Sequence, residues 1–177
     1  KIIKKNITDV SVESNKDFFC LFTSGSTGLP KGVVHSYAGY SIYTIYTCKK
    51  QFGMNKNSVV LTASDAGWIN GHTYSLFGPL FLGASTIICE SPLILLNIKI
   101  LKKVLGLKVN ILYLPVTLIR LMKTISGKIN IKSKEIKAIG SMGEPLAPSI
   151  GLWFAKNFNK VNFSVVNTYF QTETGGI

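Results

Sequence analysis

Short apolar runs alternate along this chain with longer stretches whose apolar residues recur at helical spacing. Residues 18–22 (FFCLF) form an apolar run that ends in turn residues, which predicts a buried strand. Further strands are predicted at 58–61, 85–89, 109–113, 136–140 and 163–167. Between them lie predicted helices at 36–51, 71–82, 98–105, 115–124 and 148–158. The second of these is expected to turn at Gly78-Pro79, and the fourth opens on Pro115, where a missing N–H costs nothing. Gly39 and several β-branched residues weaken the first helix. Residues 1–17 are polar and read as a lead-in. Strand and helix alternate throughout, so the expected fold is α/β: a mostly parallel sheet covered by helices. Ligands of such sheets bind at the carboxyl ends of the strands. Three polar, glycine-containing loops are expected there, at 23–32, 140–145 and 167–176.

Composition narrows the class. The 177 residues carry 46% hydrophobic side chains, which excludes general disorder, and the length suffices for one domain with a real core. Cys20, Cys48 and Cys89 stand far apart with no C-x-x-C pair. That speaks against a zinc site or a disulfide scaffold and for a reducing compartment, taken as the cytoplasm with an organelle left open. No apolar run approaches the ~20 residues of a membrane span, so no membrane is expected as a partner. The net charge is +12, but Arg120 is the sole arginine and the lysines are scattered. Scattered lysine reads first as solvated surface, and readers of base edges lean on arginine forks. Aromatics sit in apolar runs such as 18–22 and 37–46, which disfavours a stacking surface. A basic nucleic-acid or other phosphate-binding module therefore stays as the alternative class.

The loop TSGSTGLPKG at 23–32 holds three glycines, one proline and four hydroxyl residues in ten positions. Such a loop lets backbone N–H groups and hydroxyls converge on one anion, with Lys31 as a point charge for phosphate. A plain surface turn is the bland reading. A Walker A loop fails at two required places, since Pro30 stands at the second glycine and Gly32 at the magnesium-binding hydroxyl. The dinucleotide pattern G-x-G-x-x-G fails too, because Gly25 and Gly28 lie three apart.

TSGSTGLPKG resembles the phosphate loop of the adenylate-forming superfamily, which includes acyl-CoA synthetases, peptide-synthetase adenylation domains and luciferases. The resemblance continues in order through SDAGWINGHTYSLFGPL (64–80), VNILYLPVTLIRLM (109–122), GSMGEPLAP (140–148) and YFQTETGG (169–176). The combination of DAGWxxGH, GSxGEP and QTETGG is similar to the acetyl-CoA synthetase branch. That resemblance implies ATP-dependent activation of acetate or another short carboxylate to an acyl-adenylate, followed by transfer to coenzyme A. It implies ATP, CoA and Mg²⁺ as cofactor and co-substrates. Thr23, Ser24, Gly25, Ser26, Thr27, Gly28 and Lys31 would hold the β- and γ-phosphates. Gly143, Glu144 and Pro145 would lie against adenine. Asn167, Thr168, Tyr169, Phe170, Gln171 and Thr172 would line the nucleotide and its α-phosphate. Lys31 and Glu173 would be the catalytic pair, with Glu173 as the metal ligand, a carboxylate suited to a hard cation. Asn70 and Asn110 would contact CoA, and Trp68, Ile69, Asn70, Met142 and Phe170 would wall the acyl pocket.

Blander readings stand beside these. Glu173 could be a turn carboxylate, Glu144 a loop residue, His72 a core histidine bonded to backbone, and Trp68 packing rather than chemistry. The chain also departs from the acetate-specific pattern. Ile69, Asn70, Met142 and Phe170 stand where that pattern has Val, Thr, Val and Trp, and Asn167 replaces the Asp that opens the aromatic signature. The Phe in place of Trp frees space, so propionate use comparable with acetate is expected. The link from Cys89 to Ile98 is short and lacks the branch's Pro/Trp-containing loop. Because residue 1 is not Met and the motif series stops at Ile177, the chain is expected to be a piece of the large N-terminal domain, inactive alone. The superfamily's later ribose-binding Asp, hinge, C-terminal domain and its lysine are not in it.

Overall fold

The computed structural model describes residues 9–24, 28–126, 129, 131, 133–158 and 165–177. Two sheets organise them. The first is an antiparallel hairpin of β1 (Asp17–Thr23) and β2 (Lys31–Ser36), in register from Cys20 opposite Val34 to Thr23 opposite Lys31. The second is a five-stranded sheet in the order β4-β3-β5-β6-β7, with every neighbouring pair parallel. Its strands are β3 (Val59–Thr62), β4 (Ser85–Ile87), β5 (Ile111–Pro115), β6 (Ala138–Met142) and β7 (Val166–Asn167). The mostly parallel α/β architecture expected from the alternation is thus the one observed.

The hairpin corrects one expectation. Lys31 and Gly32 belong to a strand, and the loop at the hairpin tip leaves an antiparallel pair rather than a strand of the parallel sheet. The physical reason is the connection. A strand can fold straight back over a few residues, whereas a parallel neighbour needs a crossover of a dozen or more. The alternation of more and less buried positions in β2 (Val33, His35 inward of Val34) carries the strand signal that the glycine-rich string masked.

Helices α1 (Tyr37–Phe52), α3 (Ile98–Leu105), α4 (Val116–Ser126) and α5 (Pro148–Phe158) fall where their periodicity puts them. Asn97 caps α3 in the usual way, its side chain accepting from the N–H groups of Lys99 and Ile100. The predicted 71–82 helix is a π-helix over Gly71–Phe77 running on into a short α2 (Gly78–Phe81), so no turn interrupts it at Gly78-Pro79. Proline is tolerated there because it sits in the first turn of the α-helical part. The short link before α3 folds as a 3₁₀ turn, Pro92–Leu96, that buries Leu95 in the core.

Two apolar clusters hold the sheet. One lies between its face and α3, α4 and α5, built on Leu61, Leu112, Leu114, Ile119, Ile139 and Phe154. The other joins α1 and the π-helix to the opposite face through Cys48, Phe52, Val60, Tyr74, Tyr113 and Met142. Residues of β3 and β5 therefore alternate between two buried faces, which is why those strands read as unbroken apolar runs. Gly140 in β6 is required by this packing, since a Cβ there would lie 2.7 Å from Tyr113 Cδ2 and 2.8 Å from Phe52 Cε1. Burial pushes the Cys48 thiol up to about 12, so it stays neutral in the core. No helix among the described residues is long and apolar enough to cross a membrane.

Candidate active site

Strands β5 and β6 each end two residues later than their apolar runs predict, and this extension delivers Pro115 and Met142 to the carboxyl edge of the sheet. There a cleft of about 1120 Å³ opens. Its wall takes Ala63 and Ser64 from the end of β3, Pro115 and Leu118 from β5 and α4, Met142 to Pro145 from the end of β6, and Asn167 to Phe170 from β7 onward. Trp68 comes from the bend before the π-helix and Asn70 from the helical residues that lead into it. That bend is tight. Gly71 packs so closely on it that a Cβ would fall 2.1 Å from the Asp65 carbonyl oxygen, and Asp65 itself accepts from the Gly67 N–H at 2.6 Å.

Of the residues singled out from sequence, Trp68, Asn70, Met142, Gly143, Glu144, Pro145, Asn167, Thr168, Tyr169 and Phe170 therefore share one cavity. Trp68 is 66% exposed on its wall and is not a core packing residue. Ile69 is 1% exposed and lies outside the wall. Gly25, Ser26 and Thr27 lie outside the described residues, while Thr23 ends β1, Lys31 begins β2, and Ser24 and Gly28 flank the tip.

The structure separates the two asparagines that the sequence grouped. Asn110 precedes β5 at the amino edge of the sheet, where its Oδ1 accepts from the Val59 N–H at 3.0 Å and its Nδ2 donates to the Asn57 carbonyl at 3.3 Å. Asn70 stands instead in the wall of the cleft at the carboxyl edge.

Gln171, Thr172 and Glu173 follow Phe170 in a small loop closed by a bridge between Gln171 and Gly176. Thr174 braces it, its hydroxyl 2.9 Å from the Gln171 carbonyl and 2.7 Å from that of Gly176. The hairpin is fastened to this loop by His35, whose Nε2 donates to the Thr172 carbonyl at 2.7 Å. Lys31 stands four residues back along the same strand. His35 is a residue that sequence reading missed. Its only signal is its inward phase in β2. His72, half-buried, packs its ring 5.1 Å from that of Phe19, with Nδ1 3.4 Å from the Trp68 carbonyl, so it is bonded to backbone without being a core residue.

Two further residues were not anticipated. Arg120 pairs with Glu144 at 2.9 Å, orienting the Glu-Pro turn at the cleft; both side chains are partly exposed, so the pair stabilises by at most about 1 kcal/mol. Tyr113 centres a polar chain beneath the cleft. Asn70 Nδ2 donates to the Tyr113 hydroxyl at 2.9 Å, that hydroxyl meets Thr168 Oγ1, and Thr168 Oγ1 donates to the Ser141 carbonyl at 2.8 Å. Burial pushes the Tyr113 phenol up to about 12 against the opposing effect of these bonds, so it is neutral at physiological pH.

No group of three or more His, Cys, Asp or Glu side chains converges on a metal position among the described residues. The exposed carboxylate of Glu173 suits Mg²⁺ instead, which keeps waters and is held by one or two carboxylates together with substrate phosphates.

The chain is 39% identical over 169 residues to acetyl-coenzyme A synthetase 1 of Debaryomyces hansenii, covering 94% of this chain and 25% of that protein. It is 41% identical over 170 residues to acetyl-coenzyme A synthetase 2 of the same organism, with coverage of 94% and 25%. To acetyl-coenzyme A synthetase 1 of Saccharomyces cerevisiae it is 38% identical over 167 residues, with coverage of 93% and 23%. The chain spans about a quarter of the length of these curated relatives. The family match runs from residue 4 to residue 177, takes in every element described above, and places the chain in the AMP-binding enzyme family.

Proposed function

We propose that this chain is the nucleotide- and acyl-binding segment of an enzyme that activates a short-chain carboxylate, acetate or propionate, with ATP and passes the acyl group to coenzyme A. The observation that carries the reading is the single cleft at the carboxyl edge of the sheet, into which the GSMGEP turn, the NTYF segment and the DAGWIN turn all open. Its size suits a nucleotide with a small acid beside it.

In this reading the carboxylate oxygen attacks the α-phosphorus of ATP, the bond to the β-phosphate bridge breaks, and pyrophosphate leaves. The sulfur of coenzyme A then attacks the acyl carbon and AMP departs. The chain's share of this is positioning and charge compensation. The Gly143-Glu144-Pro145 turn, held by Arg120, lies along the adenine. The Asn167–Thr172 strand end lines the α-phosphate. The hairpin tip, with Thr23, Ser24, Gly28, Lys31 and the intervening Gly25, Ser26 and Thr27, receives the β- and γ-phosphates. Glu173 holds Mg²⁺, which when bound neutralises phosphate charge. The acyl group lies among Trp68, Asn70, Met142 and Phe170. Asn110, at the far edge with both ends of its amide bonded to backbone, serves the sheet.

The test is carboxylate-dependent exchange of labelled pyrophosphate into ATP by the full-length protein that carries this segment, followed by assay for the CoA thioester. Exchange that requires acetate or propionate and Mg²⁺, with thioester formed on adding CoA, is the expected result. ATP binding without exchange for any short acid would leave the second reading, a phosphate-ligand module.

A further inference from the structure

Asn70 is 1% exposed, stands in the wall of the cleft, and has no hydrogen-bond partner for its Oδ1. Asn70 is already in helical conformation, with φ −63° and ψ −41°, so its side chain is not called on to cap the helix. Its amide is free to reach across to Tyr113.

The direction of the polar chain fixes which end of the amide is left over. The Ser141 carbonyl can only accept, so Thr168 Oγ1 donates to it and must itself accept from the Tyr113 hydroxyl. Tyr113 has then spent its one proton and accepts from Asn70 Nδ2. Turning the amide over would forgo the Thr168–Ser141 bond and leave the NH₂ group without its acceptor. Asn70 is therefore held with its carbonyl oxygen unsatisfied, in a cleft whose nearby walls are apolar at Trp68, Leu118, Met142 and Phe170. A buried acceptor without a partner is costly, and a ligand that brings a donor removes the cost.

We infer that Asn70 Oδ1 is the acceptor for a hydroxyl on the acid substrate, so that a short hydroxylated carboxylic acid is used in preference to its methyl isostere. The inference rests on the function proposed above and names the substrate class of that same cleft. It inverts the ordinary order. In an apolar pocket without an acceptor a methyl is favoured over a hydroxyl, because the hydroxyl loses its water partners on entry.

The experiment measures kcat/KM of the full-length protein for two isosteric pairs: 3-hydroxypropionate against butyrate, and 2-hydroxypropionate against 2-methylpropionate, with acetate and propionate as references. The hydroxy acid is expected to win in at least one pair by about tenfold or more, and the winning pair identifies the carbon that faces Asn70. Asn70→Leu removes the acceptor at similar volume and should reverse that ratio. Tyr113→Phe frees the amide to rotate and should reduce the ratio toward unity, which keeps the test alive if Asn70→Leu does not fold. Methyl isosteres winning both pairs, or a ratio unmoved by either folded variant, overturns the inference while leaving acetate and propionate activation intact. Absence of activation for every acid, the references included, overturns the function itself and the inference with it.

Discussion

Two asparagines mark the two edges of the parallel sheet and behave differently. Asn110, at the amino edge, has its Oδ1 and Nδ2 both bonded to backbone of the β3 entry. Asn70, at the carboxyl edge, has one end of its amide bonded and the other buried without a partner. At the amino edge the asparagine is spent on backbone, beside a small polar pocket of about 120 Å³. The carboxyl edge carries a large cleft with an unpaired acceptor in its wall, a group that calls for an explanation. The contrast teaches that residue type and motif position, which made the two equivalent in the sequence, say less about role than whether the fold has already used the side chain.

The comparison breaks most sharply at the phosphate end of the carboxyl edge. In the full-length protein, Lys31→Ala and Glu173→Gln should each lower pyrophosphate exchange by about a hundredfold, the scale of losing one preorganised charge partner. For Lys31→Ala the loss should appear with ATP rather than with the acid or CoA. Exchange kinetics with unchanged ATP KM and kcat would remove Lys31 from the site.

A smaller effect is expected at the acyl end. Phe170→Trp should shift the acetate-to-propionate ratio of kcat/KM toward acetate by roughly tenfold, since one methylene in an apolar pocket is worth ~1–3 kcal/mol. Met142, unbranched and in the same apolar cluster, sets the lower end of that range by adapting to the space. A ratio that stays put in competition assays would place Phe170 away from the acyl group.

The amino edge should answer in stability instead. Asn110→Ala removes two hydrogen bonds at the start of β3 and β5 and should cost about 1–2 kcal/mol in denaturant unfolding, with the CoA KM of the folded enzyme unchanged. A raised CoA KM at unaltered stability would restore Asn110 to the binding site and dissolve the contrast.

The smallest effect at neutral pH is a titration. Burial raises the phenols of Tyr40 and Tyr113 to about 12 from an unfolded value of 10.0. Between those values the folded state holds protons that the unfolded state has lost, so stability is intact below pH 10 and falls as pH rises toward 12. Chemical unfolding across that window should show the decline, and Tyr113→Phe should make it shallower.

Much of this was legible in the chain. The alternation of apolar runs and helical periodicity determined the α/β class and all but one of the strands of the parallel sheet to within a few residues; the last, expected over 163–167, is seen as Val166–Asn167, with residues 163 and 164 outside the described part. The motif strings marked most of the residues that line the cleft, because each string is local and needs only its own turn to be recognised. What the sequence could not contain is who meets whom. The hairpin was hidden because a glycine-rich loop and a strand start overlap at Lys31, and only pairing with β1 decides between them. The link from His35 to Thr172, 137 positions apart, and the chain from Asn70 through Tyr113 to Thr168 leave no local trace. Hydrogen-bond satisfaction is a property of the packed neighbourhood, so only the tertiary structure decided that Asn110 is bonded at both ends of its amide and Asn70 at one.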